Sequence, residues 1–353
     1  MLQLENNTPF ESQFMMNSDT TGADNLVLGV KATFSILPKV VLAEEQVPLK
    51  AVDEYLGEPG LSSLVYASEM LPPKPGSDII LNGHAYAPGG QATGMLDTQL
   101  SIGESSKTIR VFGDRLWING GISEPQVFEK MPINYEHAFG GTHHFAPDKP
   151  LASDSALAIE ANPIGKGFIG KRSNKNMIGQ GLPNLEDPRY LIRVPSDQPR
   201  PMSYGYTLPG WQPRSRFAGT YDVKWTKTRA PFLPLDFDQA FYLNGSEGLS
   251  FERRKFLGGE AVRLINLASQ ADIQFTLPSY ALKSYFKLDK KWYEAALAIE
   301  TILIEPDLNR FSLIWKTQFN CDKKARRVST IRVDLTADPV SVPNPAPTAL
   351  GAL

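Results

Sequence analysis

Residues 132–238 constrain this chain more than any other stretch, because they are long, aromatic and nearly free of regular periodicity. The anchors are PINYEHAFGG (132–141), NPIGKGF (162–168), LPNLEDP (182–188), LPGWQPRSRFAGTYD (208–222) and RAPFLPLDFD (229–238). Nearly every one couples Gly or Pro to an aromatic ring. Loops of this length inside a compact domain are usually functional or disordered. The rings argue against disorder, since such a segment can bury enough apolar surface to offset the entropy of ordering. The stretch is therefore expected to be an ordered, irregular surface carried on a β scaffold.

Strand patterns flank it on both sides. In NLVLGVKATFSIL (25–37), Leu26, Leu28, Val30, Ala32 and Phe34 alternate with Val27, Lys31, Thr33 and Ser35, which predicts a strand with one buried face, ended by Pro38. A short strand is expected within 40–52, another in DIILNG (78–83), and two more at 94–102 and 107–118, the second interrupted by a turn or bulge at GDR (113–115). LPPKPG (71–76) excludes helix and central strand, because adjacent prolines fix φ and remove donors. Tyr221, Val223 and Trp225 alternate with polar neighbours and predict a strand within the loop-rich region. Further strands are expected at 250–257, 261–267, 272–277 and 310–320; 291–304 suits helix or strand, and 328–335 suits a strand, or a helix beginning in 323–327.

The fold class that follows is mainly β: an antiparallel, β-sandwich-like scaffold with long ordered Gly/Pro/aromatic-rich loops and few helices. One large domain over 1–336 is expected, or two packed β subdomains (about 1–125 and 205–336) joined by 126–204. A Pro-rich tail, 337–353, is expected to be extended or flexible.

A net charge of -2 offers no general attraction to nucleic acid. Cys321 is the single cysteine, so an intrachain disulfide is impossible, which suits a reducing compartment. MLQLENNTPFESQF lacks a basic leader with an apolar core, and no apolar run reaches about 20 residues. A cytoplasmic protein with no membrane or nucleic-acid partner is the expectation.

Several constellations invite chemistry. His137, His143 and His144 could reach a zinc ion if the Gly140-Gly141 turn gathers them, with Glu136 or Asp148 completing the set. No thiolate and no HExxH pair accompanies them, and the alternative packs His137 between Tyr135 and Phe139 with the other two solvated. Asp222, Asp236 and Asp238 resemble a hydrolase's paired acids in type, but paired acids act only at defined separations. Alternatively Asp236 and Asp238 cap turns while Asp222 pairs with an Arg. Cys321 precedes a basic run that could lower its pKa, yet no nucleophile motif surrounds it. GKGFIGKR (165–172) lacks the Lys-Ser/Thr ending of a phosphate loop and reads as a turn. The run Lys323, Lys324, Arg326 and Arg327 reads as a solvated face. No catalytic set, metal site or cofactor is expected from these patterns.

What remains is an inventory of rings and guanidinium groups: Trp211, Arg214, Arg216, Trp225, Arg229, Phe232, Phe237, Phe241 and Tyr242. Trp, Tyr and Arg dominate interface energetics. The same rings could instead fill a small core beneath the loops, and only burial separates the two. Exposed sheet edges would add a second binding mode, pairing with an extended segment.

VKATFSI, LPPKPGSDIILNGHAYAP, KTIRVFGDRLW, MPINYEHAFGG, NPIGKGF, LPNLED, GTYDVKW and PFLPLDFD run in order between residues 30 and 238, with an echo in FLGGEAVRLINL (256–267). Together they resemble a bacterial domain-of-unknown-function family of type VI secretion accessory, or adaptor, proteins. The likeness covers about two thirds of the chain. It implies a non-enzymatic role beside PAAR-repeat spike tips and toxic effectors: binding an effector or its PAAR-containing part, and helping load it on the trimeric spike protein. Tyr135, Glu136, Phe139, Trp211, Arg214, Asp222 and Trp225 are the expected contacts. A hydrolase using the central carboxylates or a His-bound metal, and a structural part of the secretion apparatus, are the alternatives.

Overall fold

The computed structural model describes residues 2–144, 156–170, 177–253 and 256–337. The expected tail and Asp148 lie outside them. The chain is mainly β, with 42% of residues in strands and 9% helical, in mixed and antiparallel sheets that close no barrel.

The largest sheet has seven strands. Its main path runs Ser250–Phe251, Ser77–Leu81, Ala298–Glu305, Arg310–Asn320, Asp24–Ser35, Glu11–Ser18, with Val41–Leu42 paired to Asp24–Ser35. All neighbours are antiparallel except Ser77–Leu81 with Ala298–Glu305. A five-stranded sheet runs Leu185–Glu186, Ser105–Phe112, Met95–Ile102, Ala261–Ile265, Asp272–Thr276. A four-stranded sheet runs Gln3–Asn7, Val328–Ala337, Ala281–Leu288, Lys291–Ala296, its first pair parallel. Each of these three sheets takes strands from both parts of the chain, so 1–125 and 205–336 build the scaffold jointly. One apolar core draws side chains from all three, including Val30, Phe34, Leu100, Ile109, Phe286 and Ile331.

The strand expected over 25–37 is present as Asp24–Ser35, but it is buried on both faces rather than one. Leu26, Leu28, Val30, Ala32 and Phe34 enter the apolar core. The opposite face is covered by the irregular segment that follows the strand. A Cβ placed on Gly29 would lie 2.6 Å from Leu49 Cδ2. Lys31 on that face bonds both oxygens of Glu69, at 2.8 and 2.9 Å. Two more buried pairs extend the layer over neighbouring strands: Lys316 with Glu300 at 2.8 Å and Lys74 with Asp78 at 2.6 Å. Lys74 also donates to Thr301 Oγ1 and Asn244 Oδ1. Charges excluded from water persist when paired and hydrogen-bonded, and in this layer Lys31, Lys74 and Lys316 each face a carboxylate.

Other differences are local. Gln3–Asn7 and Glu11–Ser18 are further strands, although neither carries a clear period-2 apolar pattern. The expected strand at 250–257 shrinks to Ser250–Phe251. The ambiguous 291–304 is two strands, Lys291–Ala296 and Ala298–Glu305, and 328–335 is strand as well.

Candidate functional site

The irregular stretch is held to the scaffold by polar side chains that its motifs supply. Asn162 of NPIGKGF donates to the carbonyls of Tyr135 (2.8 Å) and Phe139 (3.0 Å). This close approach explains the glycines around it. A Cβ on Gly140, whose φ is +153°, would sit 2.1 Å from the Asn162 carbonyl oxygen, and one on Gly165 would sit 2.3 Å from Asn162 Nδ2. Asn184 of LPNLED donates to Phe112 O and Asp114 Oδ1, both at 3.0 Å. Glu186 is bonded by Arg115 of GDR and accepts from Ile192 N at 2.8 Å. A turn closed by Gly165 N on Asn162 O at 3.3 Å leads into Lys166–Gly167, a short strand paired with Phe139–Gly140, so the turn lies in NPIG; residues 171–172 of GKGFIGKR lie outside the described residues.

Most of the residues expected to touch a partner serve this internal framework. Tyr135 and Trp211 meet edge to face at 5.2 Å, and Phe139 lies in a satellite core with Trp117 and Leu182. These rings are buried, which corrects their reading as contacts: a long ordered loop needs its own core, and these rings are that core. Glu136 accepts from Ser63 N at 2.7 Å and from Ser63 Oγ. Arg214 is buried, donating to Thr207 O at 2.5 Å and Phe241 O at 3.1 Å beneath the Phe241 ring. Burial, opposed by Asp78, brings its pKa down to about 10. Its guanidinium clamps the two ends of an excursion that projects between them.

That excursion, about 215–240, is the candidate site. GTYDVKW forms no strand; Val223–Thr228 is an α-helix with Asp222 as its N-cap, the carboxylate accepting from Trp225 N at 2.7 Å. The alternation of Tyr221, Val223 and Trp225 suggested a strand, but no neighbouring strand pairs with the segment and the cap prevails. Trp225 Nε1 donates to Phe232 O at 2.9 Å, and Arg229 Nε to Leu233 O at 2.9 Å. Tyr221 packs edge to face on Trp225 at 4.7 Å. These bonds order the lobe without burying it. Tyr221 is 53% exposed, Val223 69%, Phe232 41% and Leu235 81%. Lys224 and Lys227 lie among them, also exposed. Of the expected contacts, then, Asp222 and Trp225 lie on this lobe, alongside the exposed Val223 and Leu235. PFLPLDFD places Phe232 and Leu235 directly after prolines, outside any strand or helix.

The residues weighed for chemistry have structural partners. Asp236 accepts from Thr220 N (3.0 Å) and Oγ1 (2.7 Å), and Asp238 caps Gln239–Tyr242. Both stand as turn caps, whereas Asp222 caps a helix rather than pairing with an Arg. His137 Nδ1 lies 2.6 Å from Asn134 Oδ1; burial first, with Lys166 adding, lowers its pKa. His143 and His144 lie on a short strand, Thr142–His144, paired with Ala156–Ala158. Among the described residues no group of His, Cys, Asp and Glu is arranged to hold a metal ion. Cys321 is buried and burial raises its pKa, opposite to the effect expected of the basic run. A cleft of about 380 Å³ holds Tyr66, Glu305, His84 and Asp307. Tyr66 donates to Glu305 Oε1 at 2.5 Å, and Arg310 to Glu305 Oε2 at 2.7 Å. Burial raises Asp307, but hydrogen bonds from His84 and Tyr86 outweigh it and bring the carboxyl down to about 2. No helix among the described residues is long and apolar enough to cross a membrane.

A family described as "Uncharacterized protein conserved in bacteria (DUF2169)" matches residues 21–316. No curated protein and no solved structure matches the chain.

Proposed function

The chain belongs to that bacterial family, DUF2169, and from this premise we propose that it is a non-enzymatic adaptor that holds a protein for delivery. The cargo is a type VI secretion effector or its PAAR-containing part, which the adaptor helps load on the spike; the motif likeness described above supplies this finer reading. The observation that carries it is the 215–240 lobe, where Tyr221, Val223, Phe232 and Leu235 are exposed on a segment ordered by its own hydrogen bonds. Ordered exposed apolar side chains cost solvation unless a partner covers them, and a pre-ordered surface loses little entropy on binding. The central aspartates, which would serve a hydrolase, are engaged as caps of turns and of the short helix, which favours binding over turnover.

The test is co-purification from the native host followed by mass spectrometry, repeated with Val223→Asp and Leu235→Asp. The effector is expected with the wild-type chain and lost from both variants, with unfolding midpoints unchanged because neither side chain is buried. An effector retained by both variants would refute the lobe as the docking surface. Turnover of a hydrolase substrate that is abolished by Asp236→Asn would refute the non-enzymatic reading.

A further inference from the structure

A cleft of about 960 Å³ opens along an edge of the five-stranded sheet, bounded by Ser106, Lys107, Thr108, Pro188, Tyr190 and Arg200. The strand Ser105–Phe112 pairs along its whole length with Met95–Ile102, but on its other side only Arg110 and Val111 meet Leu185–Glu186. Phe112 N donates to Asn184 O at 2.8 Å on that outer side. Peptide groups alternate sides along a strand, so those of Arg110, Thr108 and Ser106 also face outward. The register that sets Arg110 against Glu186 would bring residue 188 opposite Thr108. That residue is Pro188, which has no N–H to donate. The chain leaves the sheet there in a turn closed by Tyr190 N on Asp187 O at 2.9 Å. Among the described residues no backbone group pairs with Ser106 or Thr108 on this edge. An edge interrupted by proline and opening on a cleft is a template for another extended chain.

Charge narrows the occupant. Arg189 forks onto Asp187 at 3.0 and 2.7 Å, and Arg200 pairs with Glu247, so both rim guanidinium groups already have an acid. Lys107 beneath the edge is buried, and its Nζ donates to Ser203 O (2.7 Å), Ser246 Oγ (2.9 Å) and Glu247 O (2.8 Å), all neutral acceptors. The two lining acids are thus each taken up by an arginine, and Lys107 in its protonated form is the lining cation left over, behind the free side of Ser106–Thr108.

We infer that the Ser106–Thr108 edge receives an extended, acidic polypeptide segment, antiparallel to Ser105–Phe112 and in line with Leu185–Glu186. Main-chain bonds to Ser106 and Thr108 supply register, and Lys107 in its protonated form, which no lining carboxylate bonds, favours Asp or Glu in the segment. That the segment comes from a delivered protein rests on the adaptor reading.

The probe is a displayed library of random peptides, about 12 residues long so that the roughly four-residue free edge can be met in any frame, selected on the full-length chain. Binders enriched in Asp and Glu are expected, protecting the Ser106 and Thr108 amides from hydrogen exchange. Thr108→Pro should weaken them roughly tenfold or more by removing an edge donor and obstructing its neighbour. Proline is tolerated on an outward-facing edge position, and an unchanged unfolding midpoint verifies this. Should that variant unfold, N-methylation of alternate peptide amides decides: one phase abolishes binding and the other spares it, since every second amide meets the edge. Absence of binders, protection elsewhere, or equal sensitivity in both methylation phases would overturn the inference. Peptide binding alongside an effector retained by the Val223 and Leu235 variants would sink the lobe alone; loss of effector in those variants without any peptide binder would sink the edge alone.

Discussion

Trp211→Ala separates a structural ring from a docking ring. Trp211 is 4% exposed and meets the buried Tyr135 ring edge to face at 5.2 Å. Truncating a buried Trp costs roughly 3–5 kcal/mol, of which the ring pair accounts for about 1. Taking about 4 kcal/mol, and about 2 °C per kcal/mol for a chain larger than 150 residues, the unfolding midpoint should fall by roughly 8 °C. Differential scanning fluorimetry and urea titration read the loss directly. Effector binding, measured well below the lowered midpoint, should weaken only as far as the folded fraction does, because the ring faces inward. A variant with unchanged midpoint that has lost its effector would refute this reasoning and return Trp211 to the interface.

Lys31→Met should cost about 3–5 kcal/mol by leaving Glu69 buried without its cation, and Lys31→Met with Glu69→Leu should recover most of it; equal urea midpoints for the single and double variants would contradict the pairing. Lys107 gives a pH signature: burial, opposed by Asp187, lowers its pKa from 10.5 to about 7. The unfolded chain then binds the proton more tightly, so this lysine's destabilisation is complete below about pH 7 and relieved as pH rises toward 10.5. Wild-type stability should therefore climb relative to Lys107→Met between about pH 7 and 9.5, and parallel pH profiles for the two would count against a buried charge at that position.

Legibility differed by the kind of signal. Period-2 alternation located Asp24–Ser35 and Arg310–Asn320, since a strand records in its own residues which side is apolar. The same signal misled at Tyr221–Trp225, where the Asp222 cap formed a helix and no sheet edge was at hand to pair with a strand. It missed Gln3–Asn7, whose LENN core is polar and whose pairing depends on Val328–Ala337 at the far end of the chain. Asparagine and glycine in NPIGKGF marked a tight turn, but nothing local showed that Asn162, or Asn184 of LPNLED, serves as a pin.

From its residues alone the chain was bound to be a β scaffold carrying an ordered, ring-rich irregular span, because alternation and Gly/Pro punctuation act through local geometry. Which rings face inward was settled only in three dimensions. Trp211 and Leu235 are both large, apolar and loop-borne, and the difference between them is whether a Tyr135 lies opposite, a long-range fact written nowhere near either residue. The pairing of Lys31 with Glu69 and the bare edge at Ser106–Thr108 are of the same kind, since both depend on where distant segments meet or fail to meet the sheets.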